Sequence, residues 1–419
     1  MPVFSLDSAQ IAWCAELRTL AAETLRPLAD GRGGTTAGPG GAEDFPGTVE
    51  PVGGAAPVGV EDRTGGEEPP RGRDGRAAGP RRAGRVNRAL LAALAELGLL
   101  KRLFDGAGAL ELCLLRESLA HGCTEAETAL ALQGLGTFPV VQSGTPAQRD
   151  RWLPEVVAGR AVAAFALSEP DAGSDAAALA LRAVPDGPGW RLSGAKRWIS
   201  NAPEADFYTV FARTRQGAGA RGVTAFLVPA DRPGLTGTSL EMLSPHPIGA
   251  LDFDGVPVTA DDVLGEPDRG FRVAMNTLNL FRPSVGAFAV GMARAALDAT
   301  IAHTAQRRAF GGPLSDLQSV AHRVAEMATR TEAARTLVYA AAAAYDAGAA
   351  DVPMRSAMAK LFATETAQYV VDAAVQLHGA RALQRGHLLE HLYREVRAPR
   401  IYEGATEVQR SIIAKELYA

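Results

Sequence analysis

The chain has 419 residues, 47% of them hydrophobic, and its 43 Lys and Arg nearly balance 47 Asp and Glu for a net charge of −4. That is enough chain for two or three domains with a large core. The charge balance argues against a general nucleic-acid binder, which carries a basic excess, and no apolar run approaches the ~18 residues expected of a membrane span.

Residues 1–7 lack the basic stretch and apolar core of a signal peptide, so a cytoplasmic location is expected. Cys14, Cys113 and Cys123 have unpatterned spacings that imply neither a disulfide framework nor a zinc site. The seven His form no ligand-spaced pair, so no metal is expected.

Helical periodicity comes first. Residues 8–29 read as one helix with Ile11, Leu17, Leu20, Ala21 and Leu25 on one face. Residues 31–84 then turn to Gly, Pro, Ala, Arg and acids, with Phe45 the sole aromatic. Such a segment buries too little apolar surface to offset its ordering entropy, and it reads as a loose or disordered insert. Periodicity returns over 86–100, 109–121 and 125–135. Thr145, Pro146 and Gln148 then open a further helix as N-cap, first-turn proline and capping-box partner, with Trp152, Leu153 and Val156 on its buried side.

From about residue 161 the period changes. Short β-rich runs at 162–167, 190–193, 207–212, 223–228 and 251–253 are separated by Gly and Pro turns, which predicts an antiparallel β domain. In it, Phe165-Ala166-Leu167-Ser168-Glu169-Pro170-Asp171-Ala172-Gly173-Ser174-Asp175 places backbone N–H groups and two hydroxyls at a strand end, where a phosphate or ring edge can be cradled. Alone, such a run is most simply a hairpin. Gly194-Ala195-Lys196-Arg197-Trp198-Ile199-Ser200-Asn201 follows, and its Trp is either core or a stacking surface. Long Ala-rich helices at 270–304, 316–348, 353–377 and 406–417 predict a C-terminal four-helix bundle.

The last informative run is Arg400-Ile401-Tyr402-Glu403-Gly404-Ala405-Thr406, with Thr406 as the expected cap of the final helix. A carboxylate at this loop-to-helix junction, beside Ile401 and Tyr402, can be shielded from water. Shielding raises its pKa towards the range useful to a general base. Read alone, Glu403 is a surface residue in a turn.

Taken together these blocks resemble the acyl-CoA dehydrogenase family. The C-terminal run is similar to the family's I-Y-E-G-[TA] segment, and the two β-domain blocks to S-E-P-x-A-G-S-D and G-x-K-x-W-I-[ST]-N. Arg307, Phe310, Gly311 and Gln318 are similar to E-R-x-x-F-G…Q, Gln376 and Gly379 to Q-x-x-G-G-x-G, and Asn279, Arg282 and Pro283 to [DE]-x-x-R-[PV]. The resemblance covers residues 86–419 and implies an α+β fold. Its parts would be an all-α domain (1–160), an antiparallel β-barrel-like domain (161–268) and a helical bundle carrying the catalytic segment (269–419).

The resemblance implies FAD, held by Phe165, Leu167, Ser168, Gly173, Ser174, Trp198, Ser200 and Thr406. Arg307, Phe310 and Gln318 would reach the FAD of a neighbouring subunit, which implies a homo-oligomer, a tetramer or dimer, and Gln376 and Gly379 would bind at the adenosine end of the flavin site. Ser174, Asn279, Arg282, Tyr402 and Glu403 would meet the substrate. Glu403 would remove the α-proton of an acyl thioester, on CoA or an acyl carrier protein, while a hydride leaves the β-carbon for the flavin N5. The electrons would pass to an electron-transfer flavoprotein. Some branches carry the base immediately before the Arg equivalent to Arg282; here that position is Phe281, which leaves Glu403. Several positions depart from the family: a shortened loop at 104–108, Asn279 for the usual acid, Ala380 for a second Gly and Ala405 for Thr. An O2-using oxidase and a non-catalytic flavoprotein of the DNA-protecting type are the alternatives.

Overall fold

The structure is a computed structural model that describes residues 6–31, 85–106 and 108–418. The predicted insert at 31–84 therefore lies, apart from Gly31, outside the described residues.

The first helix, α1 (Ser8–Leu20), opens on an Asp7–Gln10 capping box, passes through a π turn at Ala21–Leu25 and ends in α2 (Arg26–Ala29). Leu17, Ala21 and Leu25 are buried as expected, but Ile11 is 56% exposed and Cys14 takes the inward place. At roughly 100° per residue, Ile11 stands about 80° from the centre of that stripe. Next come α3 (Arg88–Glu96), capped by Asn87, and α4 (Leu99–Arg102). The expected single helix over 86–100 breaks because Gly98 adopts φ +72.

The helices α5 (Ala109–Gly122) and α6 (Thr124–Ser143) are buried nearly all round, and α6 runs eight residues past the expected Leu135, through Pro139. Tertiary burial here outweighs a helix-breaking residue. The Thr145–Gln148 capping box opens α7 (Pro146–Val157) as expected.

The strands are β1 (Ala163–Ala166), β2 (Arg182–Asp186), β3 (Gly189–Ser200), β4 (Phe207–Arg213), β5 (Val223–Pro229), β6 (Leu235–Leu240) and β7 (Ile248–Thr259). They form one curled sheet in the order β1-β4-β2-β3-β7-β6, with β5 on the other edge of β4. Most pairs are antiparallel, but β1 runs parallel to β4, with Ala163 beside Phe207. The expected antiparallel domain is corrected to a mixed sheet. Sequence periodicity missed β2 and β6, whose faces are largely exposed and polar.

The long helices α8 (Gly270–Gln306), α9 (Gln318–Asp346) and α10 (Val352–His378) pack on one another. A two-rung hairpin, β8 (Arg308–Ala309) and β9 (Gly312–Pro313), joins the first two. The short α11 (Leu388–Glu395) and the last helix α12 (Thr406–Leu417) both lean on α10, while α5 packs against α8 and α9. By length and composition α8 could cross a membrane, contrary to the sequence expectation of no such run, but 72% of its most apolar stretch is buried inside the protein. It is the core helix of the bundle.

Candidate active site

The two β-domain blocks are tied together by a buried ion pair. Lys196 Nζ donates to Glu169 Oε1 (2.8 Å) and to the Leu167 carbonyl (2.9 Å). Glu169 also accepts from the backbone N–H of Ala180 and Leu181. The Arg197 N–H donates to the Ser168 carbonyl, and Asn201 Nδ2 reaches back to the Ala163 carbonyl. The strand-end loop and the strand before it are thus held by the side chains of Glu169, Lys196 and Asn201. Sequence reading missed these residues, although they stand within the quoted motifs.

The residues this clamp leaves outward are those expected at a cofactor. Trp198 stands at φ +58 within a β3 bulge and is 46% exposed. Its indole is thus bared on a backbone conformation that non-glycine residues seldom adopt. Ser168 and Ser200 are half-buried, and Gly173 and Ser174 are exposed, with open space where Gly173 would carry a Cβ. Phe165 leans on Phe211 at 4.9 Å, and Leu167 is buried.

A second group sits at the far end of the bundle. The rings of His303 (α8) and His378 (α10) stack at 4.1 Å, and His387 meets His378 edge-on, so these two helix ends lie side by side. Sequence spacing did not reveal this cluster; among the described residues no group is arranged to hold a metal. The stack brings Arg307, Gln376 and Gly379 to one exposed end. Gly379 is at φ +65, ψ −147, a region glycine alone occupies readily. Gln318 is exposed at the start of α9, and Phe310, on the hairpin tip at φ +53, is 91% exposed.

Glu403 lies in the loop before α12 at φ +50. Its Oε2 is closed off from solvent with no hydrogen-bond partner. Its backbone N–H also donates to no described residue. Burial raises the carboxyl pKa, and the nearby cations Arg116, Lys360 and Arg282 hold it back. The expected screen is only partly right. Tyr402 is half-buried, but Ile401 is 58% exposed, so the shielding comes from the helices instead.

The loop is fastened on both sides of this residue. Lys360 Nζ donates to the Gly404 carbonyl at 2.6 Å, and Gln409 Nε2 donates to the same oxygen at 2.9 Å. Glu365 accepts from Arg400 Nε (3.0 Å) and from Thr406 Oγ1 (2.8 Å). Thr406 is therefore not the expected N-cap. Ala405 holds that position without a side-chain bond, and Thr406 is the first helical residue. Arg282 is buried and held by Asn279 Oδ1 at 3.0 Å, its Nε without a partner. Phe281 is buried edge-on to Phe138 and offers no base.

Gly404 is at φ +91, and a Cβ there would press into Gln409 Nε2. Gly404→Ala is expected to destabilise the protein by at least about 1–2 kcal/mol from the left-handed backbone alone. A thermal unfolding midpoint equal to the unsubstituted protein's would contradict this.

The described residues thus include a carboxyl oxygen buried without a hydrogen-bond partner near three cations and, on the sheet, a bared indole. The sequence matches the acyl-CoA dehydrogenase N-terminal domain over 74–160, the middle domain over 164–256 and the C-terminal domain over 268–418. Cyclohexane-1-carbonyl-CoA dehydrogenase of Geobacter metallireducens is 36% identical over 344 residues, covering 80% of this chain and 90% of its own. Butyryl-CoA dehydrogenase of Megasphaera elsdenii superposes with a TM-score of 0.82 at 29% identity, covering 99% of this chain and 100% of its own. A chain from the structure of the electron transferring flavoprotein of Acidaminococcus fermentans gives 0.82 at 28% identity, covering 99% of each. The chain belongs to the acyl-CoA dehydrogenase family, oxidoreductases that act on CH–CH groups with FAD.

Proposed function

We propose that this chain dehydrogenates an acyl thioester to the 2,3-enoyl thioester, with Glu403 as the base that takes the α-proton. The unpartnered, buried Oε2 of Glu403 carries the reading. A buried carboxylate with no competing donor is free to meet a carbon acid, and its raised pKa suits it to accept and later release a proton. The thioester carbonyl needs a donor aimed at its developing charge. The unused N–H of Glu403 supplies one, on a loop held by Lys360 and Gln409.

FAD, when bound, supplies the acceptor for the hydride from the β-carbon. The residues present fit it. Trp198 offers an exposed face, and Ser168, Ser174 and Ser200 offer hydroxyls around an open loop. Thr137 Oγ1 is buried without a partner, which a cofactor polar atom would satisfy. Thr406, whose hydroxyl is spent on Glu365, fits a cofactor contact less well. Phe310, Arg307 and Gln318 have the exposure needed to reach a second subunit's FAD, which supports a homo-oligomer, and Gln376 and Gly379 would bind at the adenosine end of the flavin site.

Arg282, held by Asn279 and within electrostatic reach of Glu403, would meet the thioester end, Tyr402 would lie beside it and Ser174 would face the pantetheine arm. The relatives' names favour CoA as carrier, and an electron transferring flavoprotein is the acceptor this reading expects. Anaerobic titration with acyl-CoA and with acyl-carrier-protein thioesters tests the reaction, the carrier and, on later admission of O2, the oxidase alternative.

The pH dependence follows from the direction of the Glu403 shift. The base works only as carboxylate, so the reductive rate rises with pH as the proton leaves. Because burial holds the pKa above the ordinary 4.5, that limb should lie above pH 4.5. A stopped-flow profile with its limb at or below that value would contradict a desolvated base.

A further inference from the structure

We propose that Lys360 is a positioning residue whose charge holds Glu403 in reacting geometry, so that dehydrogenation depends on Lys360 keeping its proton. The inference rests on the dehydrogenase reading and concerns how that same site is held and regulated. Glu403 stands at φ +50, a backbone region that non-glycine residues seldom adopt and that persists only where neighbouring contacts impose it. Gly404 follows at φ +91, so two consecutive residues are left-handed.

The Gly404 carbonyl is where this turn is pinned. Lys360 Nζ reaches it from α10 at 2.6 Å, and Gln409 Nε2 reaches it from α12 at 2.9 Å. Gln409 Nε2 also donates to the Glu403 carbonyl, at 3.3 Å. On the flanks, Glu365 accepts from Arg400 and Thr406. The amide, the guanidinium and the hydroxyl keep their hydrogens across the working pH range. Lys360 is the one donor of this set that can lose its charge there.

Its surroundings make that loss easy. Lys360 is fully buried, and among the described residues the Gly404 carbonyl is its single hydrogen-bond partner. One acceptor offsets little of the cost of burying an ammonium. Burial lowers its pKa to about 8; Glu403 opposes the shift, Arg282 of α8 adds to it, and Glu365 of α10 and Glu407 of α12 oppose it. Above about pH 8 the neutral amine therefore gives a weaker bond, and the Gly404 carbonyl rests mainly on Gln409. The left-handed turn at Glu403 then relaxes, and a reacting group displaced by about 1 Å loses ~10²-fold in rate. The rate falls as pH rises through this value, the opposite of the acidic limb, where Glu403 must shed its proton.

The test is stopped-flow bleaching of the FAD-loaded protein across about pH 5–10, with butyryl-CoA or cyclohexane-1-carbonyl-CoA, whichever reacts faster. The expected profile is bell-shaped, with its alkaline limb near pH 8. Lys360→Gln, which keeps a donor that cannot titrate, and Lys360→Met should each lose that limb. Both should react ~10–10²-fold more slowly at neutral pH with little change in acyl-CoA dissociation constant. A merely structural role would slow the variants and leave the limb where it was. Lys196 is also lowered to about 8, so a limb that survives both substitutions belongs to another group and overturns the proposal. NMR of unsubstituted protein labelled at lysine Cε needs no variant to fold. Of the four lysines, 101, 196, 360 and 415, one must titrate with the midpoint of the limb, and none doing so would equally overturn the proposal. Bleaching at neutral pH reports on the dehydrogenase reading by itself: its absence would sink both, whereas bleaching without an alkaline limb would sink the role of Lys360 alone.

Discussion

Glu403→Gln should retain bound FAD and an unchanged fold but bleach under acyl thioester ~10²–10⁴-fold more slowly, the range for loss of a general base. The expectation is specific because the substitution removes so little else. Oε2 of Glu403 has no hydrogen-bond partner to lose. The loop is held through the Gly404 carbonyl, by Lys360 and Gln409, and through Glu365 on its flanks, so an isosteric amide leaves the fastening in place. The neutral amide relieves the burial penalty that raises the carboxyl pKa. Thermal stability should therefore hold or rise slightly while the reductive rate collapses. Undiminished bleaching would move the base to another residue, and Phe281 shows that the neighbouring position on α8 cannot serve.

Lys196→Met should produce the largest loss of stability among single changes near the flavin-facing loop, about 3–5 kcal/mol, the range for breaking a buried ion pair by removing one partner. Lys196 is fully buried, and its ammonium pKa is lowered to about 8 by burial, with Glu169 acting against the shift. Methionine fills the volume but leaves the Glu169 carboxylate with backbone N–H donors alone. The Leu167 carbonyl also loses its partner. Since this clamp holds the Ser168 turn against β3, FAD retention should fall along with the denaturation midpoint. A midpoint shift under about 1 kcal/mol would show that the two backbone donors suffice to hold Glu169.

The parts of this molecule that were legible in the sequence are those set by local chemistry. The Thr145–Gln148 capping box needs two side chains within one turn, and it is present as read. The bundle helices announced themselves by length, and Glu403 by its place in a run with a glycine at its side. The parts that were not legible are set by contacts between distant residues. Pro139 lies inside α6 although proline ends most helices, because that helix is enclosed by α5, α8 and β1 and its burial outweighs the lost backbone bond. The parallel pairing of β1 with β4 depends on how two strands forty residues apart are brought together, which no alternation of side chains encodes.

The same division runs through the site. Trp198 and Ser174 were expected at a cofactor because their motifs stand in sequence, and both are exposed. Lys360, Gln409 and Arg116 were missed because an amine on α10, an amide on α12 and a guanidinium on α5 become neighbours of Glu403 only when the helices pack. Thr406 was assigned a capping role on good local grounds. Ala405 holds the cap position instead, and the Thr406 hydroxyl donates to Glu365, a residue on α10.

The purified protein's visible spectrum during anaerobic addition of an acyl-CoA tests the central claim most directly. The account predicts a yellow protein whose flavin bands bleach as the enoyl thioester forms, with the bleaching slowed ~10²–10⁴-fold by Glu403→Gln. A colourless protein that takes up no added FAD, or a yellow one that no acyl thioester bleaches, would contradict it.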